Sequence, residues 1–288
     1  MNDLLDIINM PFFRRALVAA ALIGFTNGFV SGFVLLRRSA LSLGALAHTM
    51  LPGIVSVVLI TGVLTQVSAF FGALVAALLV GLGSLMVSRG NKIPQGTALA
   101  IFYTTAFALG VIMLEYVPTG QDLDSWLFGS ILSVGNADLV VFFGIAVITL
   151  LSSTLFMRPL LLTLFEPSVA EVQGVPVRAV NYLLFALMIM ALMASFQAVG
   201  ATLSIGLLVI PGAIVAMFTN NTRWLFWGGG LVGSISAVAA VLLSVLLDIP
   251  TGPAIVVVLG GLFLLAYITS PTGGLTKFLN NKKNDKYK

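Results

Sequence analysis

One histidine stands in the 288 residues, at His48, and there is no cysteine. His48 lies in the segment Arg37 to Gly53, RRSALSLGALAHTMLPG. Arg37 and Arg38 lead into that run, the residues around the histidine suit hydrocarbon, and Pro52 and Gly53 interrupt it just beyond. If a helix begins near Ser39, His48 lies roughly 13 Å along it, away from either surface. An ionisable group at that depth calls for a partner, a cavity or a task. Pro52 withholds a backbone donor and crowds the carbonyl one turn back, at His48. Broken helices with free backbone groups near mid-membrane are typical of solute paths. Pro52 and Gly53 are therefore the candidate helix break, and His48 the candidate functional side chain. The competing assignment is a neutral imidazole bonded to a backbone carbonyl between helices. Met50 adds a soft ligand type nearby, but its spacing from His48 does not put the two on one helical face.

Other chemistries find no support. Without cysteine there are no disulfides, thiolate metal sites or cysteine nucleophiles. No GxxxxGK[ST] run is present to cradle a nucleotide, and no HExxH to hold a catalytic zinc. No GxSxG marks a nucleophile elbow. The chain is expected to be non-catalytic, and any ATP hydrolysis falls to another subunit.

The elements that must position His48 follow from composition. Hydrophobic residues make up 59% of the chain and charged residues 8%, against about 25% charged in a soluble domain. Mean hydropathy is +1.11. This is an all-α polytopic membrane protein, and residues 1–288 form one transmembrane domain, since no polar block is long enough for a second. Apolar spans of about 20 residues are expected at 15–36, 40–62, 66–88, 95–117, 138–157, 179–197, 200–219, 223–247 and 251–269. Segments 179–197 and 200–219 are barely separated, so eight spans plus a re-entrant piece stands beside nine. Residues 2–13 suggest a short interfacial helix rather than a signal peptide. Residues 277–288 are expected to be a short disordered tail.

Basic residues set the orientation. With the loop after the fifth span in the cytoplasm, Arg37, Arg38, Arg89, Lys92, Arg158, Arg178, Arg223 and the tail lysines share that side. Glu115, Asp122, Asp124, Asp138 and Asp248 form an acidic outer rim, and only Arg14 and Arg15 disagree. Topology thus accounts for the net charge of +4, and no nucleic-acid partner is implied. The connection 117–138, with Trp126, Leu127 and Phe128, is expected to hold a short helix at the outer face. The connection 157–180 is expected to hold a short cytoplasmic helix, opened by Pro167 and stopped by Gly174. Such a helix is either a docking knob for a soluble partner or an ordinary interfacial loop. Gly24, Gly28 and Gly32 recur every fourth residue, a pattern that lets helices approach closely.

Several motifs, in order, resemble the permease subunit of bacterial ABC importers for zinc, manganese and iron. They are RRSALSLGALAHTMLPG, FALG at 107–110, DLDSWLFGSIL at 122–132, FEPSVAEVQGVPV at 165–177, VGATLSIGLLVIPGAIVAMFT at 199–219 and DIPTGPAIVVV at 248–258. Together they cover nearly the whole chain. The resemblance implies a fold similar to the membrane domain of the vitamin B12 importer, a type II ABC importer. It implies a homodimer in the bacterial cytoplasmic (inner) membrane, with the path on the two-fold axis. It also implies a cytoplasmic ABC ATPase dimer and an extracytoplasmic metal-binding protein as partners. The metal is the transported substrate, no cofactor is permanently bound, and ATP is used by the partner. The family's metal-path role passes to His48, and the ATPase coupling role to Glu166, Pro167, Ala170 and Gly174. One departure stands out: the family's aspartate, one turn before the histidine, is Gly44 here, and its serine is Ala47. A dimer would then offer two imidazoles and no carboxylate at that level. The alternative is an autonomous secondary carrier or channel. A carrier would carry intramembrane acids for ion coupling, and only Glu115, near a span end, is available.

Overall fold

The computed structural model describes residues 10–62, 65–90, 93–117, 131–200 and 204–270. The expected outer helix around Trp126 and the tail 277–288 lie outside the described residues, as does most of the expected interfacial helix 2–13.

Among the described residues every regular element is helical. In chain order they are α1 (Pro11–Arg37), α2 (Ala40–Ala47), α3 (Met50–Thr61), α4 (Gln66–Gly90) and α5 (Gln95–Leu114). A 3-10 turn at Ile131–Ser133 precedes α6 (Asn136–Leu155), α7 (Met157–Phe165), α8 (Pro167–Val172), α9 (Val177–Val199), α10 (Ser204–Ala216), α11 (Thr222–Leu247) and α12 (Thr251–Thr269). Counting α2 and α3 as one span, 8 helices are long and apolar enough to cross a membrane. Within the piece at 200–219 the described helix is α10, 13 residues long. That is about 20 Å of helix, short of a hydrocarbon core of about 30 Å. By length the described residues give eight spans and the shorter helix α10.

The organising contact is α1 on α11. Gly24, Gly28 and Gly32 of α1 meet Gly233, Gly229 and Phe226 of α11. Numbers rise along one helix as they fall along the other, so the pair is antiparallel. The backbones touch, and a Cβ on Gly28 would overlap the Gly229 carbonyl, which is why the small-residue repeat is there. Phe226 stacks on Phe33 with ring centres 4.4 Å apart. α10 joins this pair through Gly212, whose backbone lies against Ser31.

Three contacts order the helix ends. At the end of α1, Arg37 reaches Gln95 at the start of α5 and Asn181 near the start of α9. Antiparallel pairing brings the start of α11, with Arg223, to that same end. At the other end Arg15 Nη1 donates to Asn136 Oδ1 at the start of α6, 3.3 Å away. Since α9 leaves from the Arg37 end and α11 starts there, the chain crosses back between them, with α10 on that return. The alternation expected from the basic residues is therefore kept, with Arg15 at the opposite end. Asp138 does not join an acidic rim. It is 3% exposed, and its Oδ2 accepts the Gly135 backbone N–H at 2.8 Å, satisfying a donor at the start of α6.

Candidate functional site

The span expected at 40–62 is broken, and the break falls at His48 and Thr49. Pro52 has no N–H to offer the His48 carbonyl, the acceptor one turn back. The chain responds by tightening: the His48 N–H donates to the Ala45 carbonyl at 3.2 Å and the Thr49 N–H to the Leu46 carbonyl at 3.0 Å. These i→i−3 bonds close α2 in a 3-10 turn. Thr49 is buried, with Oγ1 donating to the Leu46 carbonyl at 2.7 Å. His48 is exposed on the protomer. Two rings of α5 flank it, Tyr103 at 6.2 Å and Phe107 at 6.1 Å between ring centres, the latter edge-on. Among the described residues neither ring nitrogen has a hydrogen-bond partner. An imidazole bridging two helices through a carbonyl is therefore not what the structure contains.

Pro52 and Gly53 are both buried and act through packing. A Cβ on Gly110 of α5 would come within 2.7 Å of the Pro52 nitrogen. A Cβ on Gly53 would overlap the Gly72 carbonyl of α4. The broken point is thus clamped by backbone on both sides, and the glycine of FALG is what lets α5 approach the proline. Gly44 lies one helical turn before His48. A Cβ there would meet Ile205 Cδ1 of α10 at 2.7 Å, while the His48 ring lies beside Tyr103 and Phe107 of α5. An acid at 44 therefore requires the Ile205 side chain to swing away.

Arg37 fixes the start of the broken span. Its Nη1 donates to Asn181 Oδ1 at 3.4 Å and its Nη2 to Gln95 Oε1 at 3.5 Å. The guanidinium carbon lies 5.3 Å from the centre of the Phe185 ring, a cation–π distance. One side chain thereby ties α1 to α5 and α9. Sequence reasoning missed this role, as it missed Tyr103 and Phe107; their i, i+4 spacing on one face of α5 was the available signal.

The connection between α6 and α9 carries α8. Pro167 is its first residue, after Glu166 in extended backbone at φ −139°. Gly174 follows at φ 77°, and the Val175 N–H returns to the Ala170 carbonyl at 2.9 Å, a left-handed glycine stop. Both expected turn signals are thus where they were placed, although the helix is shorter than 166–175. Ala170 is fully buried and anchors α8 to the body. Glu166, Phe165, Val169 and Val172 are exposed, with Val172 at 89%. Those apolar side chains, not Ala170, form the free face.

Among the described residues no group of three or more His, Asp or Glu side chains gathers to hold a metal. One protomer presents a single imidazole at a helix break, flanked by aromatic rings and open to one side.

This arrangement has close relatives. The model of the ABC 3 transport family matches residues 9–270. The chain is 36% identical over 280 residues to the manganese transport system membrane protein MntC of Halalkalibacterium halodurans, covering 96% of this chain and 94% of that one. It is 31% identical to the chelated iron transport system membrane protein YfeD of Yersinia pestis, covering 93% and 90%. Among solved structures it is similar to PsaBC from Streptococcus pneumoniae in complex with Fab, with TM-score 0.83 and 27% identity over 96% of this chain and 99% of that chain. The resemblance drawn from the ordered motifs is borne out along nearly the full length, and the chain belongs to the ABC 3 transport family.

Proposed function

We propose that the chain is the membrane-spanning permease subunit of an ATP-driven importer for a divalent transition-metal ion. Relatives named for manganese and for chelated iron support that class, and zinc completes it. The single observation that carries the reading is His48: an imidazole with no hydrogen-bond partner among the described residues, at a broken helix inside an all-helical membrane body. Two copies of the chain place two such rings on either side of a two-fold path, and the ion passes between them. Neutral imidazole suits zinc, iron, nickel or copper better than a hard ion. Two neutral ligands hold a dication loosely, which suits passage rather than storage.

The basic end, with Arg37, Arg223 and Arg158, lies in the cytoplasm, and the protein resides in the bacterial cytoplasmic membrane. There α8 and the end of α7 dock on a separate ATPase dimer through Phe165, Val169 and Val172, while Glu166, Pro167 and Gly174 set the ends of α8 and Ala170 its seat. An extracytoplasmic metal-binding protein delivers the ion at the opposite face. Reconstituted with the ATPase subunit in sealed vesicles, the protein should take up manganese, iron or zinc only when ATP is supplied on the ATPase side. Uptake driven by an ion gradient without ATP would instead indicate an autonomous carrier.

A further inference from the structure

At the start of α11 the chain reads Asn221-Thr222-Arg223-Trp224 and continues to Trp227. Asn221 Oδ1 accepts the Arg223 backbone N–H at 2.9 Å and caps the helix. The Arg223 guanidinium is exposed and, among the described residues, has no ion pair or hydrogen bond. Arg223, Trp224 and Trp227 line an open hollow of about 550 Å³. Trp224 is 60% and Trp227 44% exposed, and neither indole N–H donates to a described residue. Trp227 is nonetheless fixed: Phe29 packs edge-on at 5.4 Å between ring centres and Phe25 lies at 6.1 Å. The hollow therefore has one rigid wall and three free donor groups.

The face continues beyond the hollow. Trp224, Trp227, Leu231 and Ile235 recur at i, i+3 and i+4 spacing, so they share one side of the helix, and all four are exposed. A cation at the helix start, indoles one turn in and an aliphatic track below match a phospholipid from headgroup to acyl chain. Indoles settle at the level of the headgroups, and basic residues there attract anionic lipid. A free phosphate would use the cation and leave the track idle. We infer that this face of α11 is a binding site for an anionic phospholipid in the leaflet on the basic side. The phosphate sits on Arg223 and the indole N–H groups, and one acyl chain lies along Trp227, Leu231 and Ile235. The site is separate from the metal path, so the inference stands or falls apart from the transport reading.

Trp224 and Trp227 can report on their own occupant. With Trp126→Phe they are the remaining indoles, since the chain has 3 tryptophans. The full-length protein is placed in mixed phosphatidylglycerol–phosphatidylcholine bilayers in which one lipid or the other carries brominated chains. Brominated phosphatidylglycerol should quench the emission more strongly than brominated phosphatidylcholine. Arg223→Gln should lower that preference about fivefold, the worth of one interfacial arginine. Arg158→Gln removes another exposed charge, outside the hollow, and should leave the preference unchanged. Equal quenching by both lipids, or equal loss in the two variants, would overturn the assignment. Relief of quenching by millimolar inorganic phosphate would give the site to free phosphate. Indoles untouched by either lipid, but shifted by adding the ATPase subunit, would give it to that protein.

Discussion

His48 has no hydrogen-bond partner among the described residues, and that defines it as much as its type. Its ring stands between Tyr103 and Phe107, and its carbonyl has lost the donor that Pro52 cannot supply. The histidine and its break were legible in the sequence because a lone imidazole and a proline in an apolar run are conspicuous. The flanking rings were not, because Tyr103 and Phe107 sit in a span whose apolar residues all look alike without a partner helix. Gly44 was legible only as a departure from the family pattern. Its neighbour Ile205 comes from α10, far away in sequence, and no local signal could supply it. Since only the flexible end of Ile205 opposes a Cβ at 44, Gly44→Asp should fold. Its carboxylate should tighten metal retention by roughly ten- to a hundredfold, from the ~1.5–3 kcal/mol of a charged contact, and slow release by a similar factor. Equilibrium binding of manganese to the purified variant tests this. Unchanged retention would mean that position 44 does not face the path.

Among the elements, α8 is the most exposed to test. Its ends were legible because proline opens a helix and glycine closes one for stereochemical reasons that act locally. Its seat was not: Ala170 is buried by tertiary contacts, and its identity alone did not reveal the exposed apolar face of Phe165, Val169 and Val172. Gly174 holds φ 77° with open space around its α-carbon, so a side chain there meets backbone strain and no clash. Gly174→Val should cost about 1–2 kcal/mol locally, leave the eight-span body in the membrane and disturb the exit of α8. The expected result is ATP hydrolysis by the assembled complex with metal uptake reduced at least about tenfold, the equivalent of 1.4 kcal/mol in coupling. Normal uptake at normal hydrolysis would remove α8 from the coupling path. The length of α10 was legible only as two equal alternatives, since the spacing around Ala198 and Val199 suits a crossing or a return equally well.

In the whole molecule, the glycine seam between α1 and α11, the Arg37 tie to α5 and α9, and the clamp on Pro52 and Gly53 hold the helices around the break at His48. The protomer presents one imidazole and, among the described residues, no cluster able to hold an ion by itself. The central claim of the proposed function is that a second copy completes the ligand set. Its direct measurement is ATP-dependent uptake of manganese, iron and zinc by reconstituted complexes carrying wild-type chain, His48→Ala or His48→Gln, each checked for assembly with the ATPase. The expected result is uptake in the wild type and at least a tenfold loss, about 1.4 kcal/mol, in both variants with assembly intact. Uptake at the wild-type rate in both would contradict the claim and remove His48 from the path.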